Sequence, residues 1–128
     1  MNESLTDNDK LTLLAIAREA IVLATQGKPK KKLNLRDYPS IMRENCASFV
    51  SLHLNNGQLR GCIGTLEAYQ PMILDVQEHA VAAALEDYRF KPVNEQEVQN
   101  LKIEISLLSQ PILLEYNNPE DLVTFLKP

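Results

Sequence analysis

The residues best suited to chemistry lie in a short stretch around one cysteine. Leu59 to Gly64 reads Leu-Arg-Gly-Cys-Ile-Gly, which places Cys62 between two glycines and two residues after Arg60. Glycine allows another backbone or a ligand to approach a strand closely. A nearby cation favours the thiolate, which is the nucleophilic form of cysteine. This stretch is therefore the first candidate for a catalytic or ligand-binding site.

A hairpin is predicted to place this stretch on a strand. Cys46 to Leu54 alternates between apolar and polar side chains, which is the pattern of a half-buried strand. Asn56-Gly57 follows, and this pair favours a type I′ turn because both central positions of that turn need a positive φ. The predicted return strand is Gln58 to Leu66, which contains the cysteine.

The register of this hairpin decides which side chains share a face with Cys62. A two-residue loop pairs Asn55 with Gln58, His53 with Arg60, Ser51 with Cys62, and Phe49 with Gly64. One face then collects Val50, Leu52, Leu54, Leu59, Gly61 and Ile63. The other face collects four groups capable of chemistry, which are Ser51, His53, Arg60 and Cys62.

Two functional interpretations of this polar face are open. As a binding site it takes a small anionic ligand or a protein tail, because a guanidinium beside glycine backbone suits a carboxylate or phosphate. The candidate ligand-binding residues are Arg60, Gly61, Cys62, Gly64, Ser51, Asp87, Arg89 and Ser106. As a thiol-dependent enzyme it uses Cys62 as nucleophile, Arg60 as activator or anion clamp, and His53 or Glu104 as base.

A purely structural interpretation also remains for each of these residues. Free cysteine is commonly a small buried hydrophobe, and the two glycines then only let a helix pack closely on the strand. Arg60 then pairs with Glu104 or Asp87 inside the molecule, and Asp87 forms a helix-ending ion pair with Arg89. Cys46 has no cationic neighbour in sequence and is assigned to the core.

The other predicted elements are helices and one further strand. Apolar spacing predicts helices over residues 7–26 and 72–86, a helical turn over Pro39 to Glu44, and a strand over residues 101–107. Four lysines within residues 28–32 are typical of a solvated linker. A loop at residues 117–119 precedes a short helix ending near Leu126. This order indicates an α+β fold in which an antiparallel sheet, with the Asn-Gly hairpin, packs against helices.

Composition limits the classes of protein to consider. The 128 residues fit one domain, 1–128, and a net charge of -4 argues against a nucleic-acid partner. No apolar run reaches the roughly 20 residues of a membrane span. The first ten residues are polar and acidic, and they do not resemble a secretory leader. We therefore expect a cytoplasmic protein without a membrane partner. The two cysteines are expected to be free thiols. Neither a Cys-x-x-Cys pair nor a Cys/His metal spacing occurs, and no metal or other cofactor is expected.

Four segments together resemble the AMMECR domain, named after the human Alport syndrome, midface hypoplasia and elliptocytosis chromosomal region. They are Phe-Val-Ser-Leu-His at 49–53, Asn-Gly-Gln-Leu-Arg-Gly-Cys-Ile-Gly-Thr-Leu at 56–66, Ala-Leu-Glu-Asp-Tyr-Arg-Phe-Lys-Pro at 84–92, and Ile-Glu-Ile-Ser-Leu-Leu-Ser at 103–109. The resemblance runs without a gap from about Phe49 to Pro111, and its Arg-Gly-Cys-Ile-Gly core is specific.

The resemblance implies an α+β fold with a larger and a smaller lobe, and no known reaction. In bacteria and archaea such domains are associated with a Memo-like protein and a radical SAM enzyme, in the AmmeMemoRadiSam system, so these two proteins are the expected partners. Relatives usually continue past the segment matching Asp121 to Pro128, and the chain therefore resembles a domain without its C-terminal part. The position of His79 often holds another residue in the family, so the resemblance assigns His79 no shared catalytic role.

Overall fold

The structure, a computed structural model, describes residues 5–108 and the strand at residues 112–115. Helices α1 (Asp7–Thr25), α2 (Ser40–Arg43) and α3 (Met72–Leu85) accompany strands β1 (Ser48–His53), β2 (Leu59–Gly64), β3 (Lys102–Leu107) and β4 (Ile112–Glu115). Two short 3-10 segments occupy Leu35–Asp37 and Glu95–Asn100. The α+β class expected from the sequence is confirmed.

Helix α1 begins where its sequence provides a cap. The Thr6 hydroxyl accepts a hydrogen bond from the Asp9 N–H, and the Asp9 carboxylate accepts one from the Thr6 N–H, both at 3.0 Å. This reciprocal pair satisfies two of the amide groups that a helix start leaves unbonded. Leu13 and Ile21 are fully buried along one side, which shows that α1 packs through an apolar stripe.

The sheet is antiparallel throughout, in the order β2-β1-β3-β4, so β2 lies at an edge. Ser51 lies opposite Cys62 and Phe49 lies opposite Gly64, as predicted. His53, however, lies opposite Leu59, and the predicted pairing of His53 with Arg60 is wrong.

The loop between β1 and β2 explains this shift in register. Gly57 has φ +90°, whereas no described residue other than glycine has a positive φ, so Asn56 does not adopt the positive φ that the predicted type I′ turn requires. The Gly57 N–H donates to the Leu54 carbonyl at 2.9 Å, and the Leu54 N–H donates to the Gln58 carbonyl at 2.8 Å. These bonds define a three-residue loop whose glycine adds a bulge, and the predicted two-residue loop is wrong.

Helices α1 and α3 pack against each other and against one face of the sheet. The side chains that β1 and β3 turn toward the helices are fully or almost fully buried, and they are Val50, Leu52, Ile103, Ile105 and Leu107. Helix α3 contributes alanines to this core, and small side chains let a helix axis approach the sheet. The opposite face of the sheet carries alternating half-buried side chains.

Element boundaries agree with the sequence predictions to within about one residue, except for the two strands of the hairpin. Strand β1 begins at Ser48 rather than Cys46, because the Cys46 N–H donates to the Gln70 carbonyl outside the sheet, and β2 ends at Gly64 rather than Leu66. Cys46 itself is buried in the core. The predicted helix ending near Leu126 lies outside the described residues. Within the part of the chain that is described, no helix has the length and hydrophobicity needed to cross a bilayer.

Candidate functional site

A row of polar side chains crosses the sheet on the face that the helices do not cover. Ser51 lies between Cys62 of β2 and Glu104 of β3, and Phe49 lies between Gly64 and Ser106. We call this surface the polar face and define it by Ser51, His53, Cys62, Glu104 and Ser106, all of which are half-buried. The predicted grouping of the cysteine with serine, histidine and glutamate side chains therefore occurs.

Cys62 is held at the centre of this row. The Ser51 hydroxyl donates a hydrogen bond to its sulfur at 3.1 Å. Its backbone N–H donates to the Asp87 carboxylate at 2.9 Å, from the side of β2 that faces away from β1. The thiol is thus fixed in position by one side chain of the polar face and one residue beyond the sheet edge.

His53 and Glu104 form the second pair of the polar face. Nδ1 of His53 lies 3.6 Å from Oε1 of Glu104, which is close enough for an ion pair when the imidazole is protonated but too long for a hydrogen bond. The same Nδ1 atom is buried, and it has no hydrogen-bond partner among the described residues. A buried polar atom left without a partner costs roughly 1–3 kcal/mol.

The guanidinium of Arg60 binds the segment that follows α3 and is not directed only at the Cys62 thiol. It makes a two-point contact with the Glu97 carboxylate, at 3.0 Å from Nε and 3.1 Å from Nη2. Further bonds reach the carbonyls of Lys91, at 2.7 Å, and Pro92. The Arg60 hydrogen bond is the main reason that the pKa of Glu97 is lowered. Arg60 therefore anchors this segment to β2.

The sequence predicted that Arg60 pairs with Glu104 or Asp87, and this prediction is wrong. Glu97 takes that place because it lies in the 3-10 segment Glu95–Asn100, which returns the chain toward the start of β2. Asn94 caps this segment, since its side chain accepts from the Glu97 N–H at 3.0 Å. No periodic pattern marks a 3-10 segment of six residues, so the spacing of residues did not indicate this partner.

Asp87 and Arg89 form the predicted ion pair at the end of α3. Arg89 donates to both carboxylate oxygens, at 3.0 Å from Nε and 2.7 Å from Nη2. This pairing, together with the backbone bond from Cys62, holds the pKa of Asp87 well below its usual range. The Arg89 side chain is 49% exposed, and Oδ2 of Asp87 accepts from both its Nη2 and the Cys62 N–H, which places the guanidinium near the backbone of Cys62. Arg89 is therefore the more exposed of the two arginines, although Asp87 already holds two of its nitrogens.

The two glycines of the cysteine stretch serve different sides of the sheet. A Cβ atom at Gly61 would overlap the carbonyl oxygen of Ala83, so this glycine lets α3 lie directly on β2. A Cβ atom at Gly64 would overlap the Phe49 ring, which lies across the strand pair. Of the predicted ligand-binding residues, Gly61 is therefore directed toward the core and not toward the polar face.

A second polar cluster, which was not predicted from the sequence, lies on the opposite side of β1. Ser48, Asp75 and His79 are buried together between β1 and α3. Asp75 and His79 are four residues apart on α3, as are the buried Val76 and Ala80. This spacing on the buried side of a helix is the signal that could have revealed the cluster. Among the described residues, no group of three or more potential ligands is arranged to hold a metal ion.

These features define an α+β domain with a four-stranded antiparallel sheet, two long helices on one face, and a cysteine-centred polar face on the other. The chain belongs to the AMMECR1 family, whose sequence model matches residues 14–126.

Several archaeal proteins are similar to this chain. Protein MJ0810 of Methanocaldococcus jannaschii is 36% identical over 98 residues, covering 76% of this chain and 49% of that protein. A protein of Methanothermobacter thermautotrophicus is 36% identical over 123 residues, covering 96% of this chain and 63% of that protein. The crystal structure of the uncharacterised protein PH0010 from Pyrococcus horikoshii matches with a TM-score of 0.75 and 30% identity, covering 80% of this chain and 52% of that one. The chain therefore spans about half to two thirds of the length of these proteins.

Proposed function

We propose that the chain is a binding module whose polar face holds a small ligand or a segment of a partner protein. The observation that carries this proposal is the buried Nδ1 atom of His53, which has no partner among the described residues. The His53 side chain as a whole is 22% exposed, so a rotation of the ring brings Nδ1 to a bound group, and a hydrogen bond formed there recovers the free energy lost on burial. Ser51 and Glu104, beside it in the sheet, offer a hydroxyl and a carboxylate to the same ligand.

Residues of the Arg60 to Gly64 stretch have two roles in this site, which are to line it and to position the neighbouring segment. Cys62 and Ser51 form the floor, while Arg60 positions the segment after α3 through Glu97. An anionic group on the ligand is met by Arg89, which is half exposed and whose Nη1 is not used in its contact with Asp87. All three guanidinium nitrogens of Arg60 are used within the chain, and we therefore assign the anion to Arg89.

The family resemblance supplies the biological context of the proposal. The chain acts as an accessory component of a radical SAM linked modification system in the cytoplasm, and its partners are a Memo-like protein and a radical SAM enzyme. The polar face is the surface through which it recognises one of these proteins or their shared ligand.

The proposal is tested by titrating the chain with the purified Memo-like protein and radical SAM enzyme of the same organism, using calorimetry. We expect binding to one of them, and we expect Ser51→Tyr, which fills the polar face, to weaken it at least tenfold. Glu19→Arg, a charge change on the exposed side of α1, is the matched control and should leave the affinity unchanged. Absence of binding to both proteins, or equal affinity of the Ser51→Tyr variant, would overturn the proposal.

A thiol-dependent enzyme is the second candidate, and the 3.1 Å contact between Ser51 and Cys62 favours it. In this version Cys62 is the nucleophile, with His53 or Glu104 as base. The two candidates differ in how the thiol reacts. A mild alkylating reagent applied across a range of pH reports a depressed thiol pKa if Cys62 is activated, and an ordinary or raised one if it is not. Cys62→Ala abolishes activity in the enzyme, whereas in the binding module it removes one contact of the floor and weakens partner affinity without abolishing it.

A further inference from the structure

Ser48, Asp75 and His79 form a buried hydrogen-bonded cluster that the polar face does not use. The Ser48 hydroxyl donates to Oδ2 of Asp75 at 2.6 Å, and Nδ1 of His79 lies 3.2 Å from the same oxygen. Gln70 donates to the other oxygen, Oδ1, at 3.0 Å. Burial alone would raise the pKa of Asp75, but the hydrogen bonds from His79, Ser48 and Gln70 outweigh it and the pKa is lowered. The Asp75 carboxylate is therefore ionised although it is fully buried.

An ionised Asp75 determines where the imidazole of His79 carries its proton. The Ser48 hydroxyl has one hydrogen, which it gives to Asp75, so its oxygen is left to accept from Nδ1 of His79 at 3.1 Å. Both neighbours of Nδ1 are then acceptors, and Nδ1 must carry a proton. In the neutral imidazole, Nε2 is consequently the unprotonated nitrogen and acts as a hydrogen-bond acceptor.

Nε2 of His79 has no hydrogen-bond partner within residues 5–108, although the side chain is only 4% exposed. Because Nδ1 points toward β1, the opposite edge of the ring is the part that remains for contact with other groups. His79 contributes to the wall of a groove of about 680 Å³ between the end of α1 and one side of α3. This volume lies within the range of about 300–1,000 Å³ that is typical of small-molecule sites.

The groove has an apolar floor and two rims of opposite charge. Ile63, Val81, Ala82 and Leu85 are among the residues of the floor. Lys28 and Lys30, in the segment after α1, form the positive rim, while Glu78 and Glu86 of α3 form the negative rim. Glu78 is kept in place by the Tyr69 hydroxyl, which donates to it at 2.6 Å, and this bond raises the pKa of Tyr69 to about 12.

We propose that this groove binds a short zwitterionic peptide with apolar side chains. The lysine rim takes the ligand carboxylate, the glutamate rim takes its ammonium group, and Nε2 of His79 accepts a hydrogen bond from that ammonium. A ligand with a single charge would pair with one rim and would be repelled by the other. The lysines and glutamates on the two rims therefore favour a zwitterion. Ile63 faces the helices while Cys62 faces the other way, so this site is separate from the polar face and independent of the function proposed for it.

The dipeptide Leu-Leu is the probe, titrated into the chain at pH 7.5 and followed by ¹⁵N NMR of the His79 ring and of the backbone. We expect the Nε2 resonance and the amides of Gly27 and Ala82 to shift with one common Kd. N-acetylation of the dipeptide removes the ammonium group and should weaken binding about tenfold, since a hydrogen bond to a charged group is lost. C-terminal amidation removes the carboxylate and should weaken binding about three- to fivefold, as expected for an exposed ion pair.

Two double variants with exposed side chains test the lysine rim without disturbing the core. Lys28→Ala with Lys30→Ala should weaken Leu-Leu binding about three- to fivefold, whereas the matched pair Lys31→Ala with Lys32→Ala lies in the same segment outside the groove and should have no effect. Ser51→Tyr, on the polar face, should also leave the Kd unchanged. Equal affinities for the three forms of the dipeptide, or no shift of the His79 ring at saturating peptide, would overturn the proposal.

Discussion

Replacing Gly61 with alanine should destabilise the chain more than the same substitution at Gly27 or Gly57, the glycines outside the sheet, because the obstacle to the new methyl group is backbone. The added Cβ would overlap the Ala83 carbonyl oxygen and lie 3.2 Å from the carbonyl carbon. A side-chain end could rotate away, but this carbonyl belongs to α3 and moves only with the helix. Either β2 or α3 must therefore shift.

The cost can be estimated from this geometry. Inserting a methylene-sized group into a packed core costs about 1–3 kcal/mol, and a rigid obstacle places Gly61→Ala near about 3 kcal/mol. Gly57→Ala is the matched comparison, because its Cβ meets nothing within 4 Å and only the positive φ of +90° opposes it. That backbone cost is about 1–2 kcal/mol.

Thermal unfolding followed by circular dichroism measures both variants against the parent chain. For a domain of this length, 1 kcal/mol corresponds to about 3–5 °C in Tm. We therefore expect Gly61→Ala to lower the Tm by about 10 °C or more, and Gly57→Ala to lower it by roughly half as much. A Gly61→Ala variant that melts within about 1 °C of the parent would show that α3 does not rest on β2 as described, and that Gly61 is free to serve a ligand.

Three further predictions concern the polar contacts around the sheet. Arg60→Ala should lower the free energy of unfolding by about 2 kcal/mol, since it removes charge-assisted hydrogen bonds that hold the segment after α3. Urea denaturation measures this loss. If Arg60→Lys were as stable as the parent chain, the two-point contact with Glu97 would be contradicted. The lowered pKa of Asp87 means that its carboxylate stabilises the fold fully above about pH 4 and that this contribution is lost as the pH falls further. Denaturation between pH 7 and pH 2 should thus show a loss below pH 4 that is smaller in Asp87→Asn, and parallel curves for the two chains would refute this assignment. Ser48→Ala should cost about 1–3 kcal/mol by removing a donor from buried Asp75, and an unchanged urea midpoint would argue against the cluster.

Much of the sheet could be predicted because its physical signal is local. Alternation from Phe49 to His53 identifies β1, and a period of two fixes which side chains share a face, so Ser51 and Cys62 were paired correctly. The turn was harder to predict, because Asn-Gly is compatible with more than one loop length. The φ values and the hydrogen bonds of the loop distinguish a turn in which Gly57 alone is left-handed from the expected type I′ turn.

The partners of the arginines could not be predicted to the same degree. Asp87 and Arg89 are two residues apart, so their pairing follows from proximity along the chain. The partner of Arg60 is 37 residues away and depends on where a short 3-10 segment returns to the sheet. Contacts of this kind are set by tertiary packing, and neither composition nor periodicity determines them.

The carboxylate of Asp87 has a consequence for how this protein behaves in concentrated solution. An outermost strand exposes amide donors and acceptors to which a strand from another molecule can add. By accepting the Cys62 N–H from outside β2, Asp87 occupies one of these donors and places a charged, buried group where an incoming strand would have to lie. Protection against edge-to-edge aggregation is thus built into the same turn that positions the cysteine, and acidification that neutralises the carboxylate removes both.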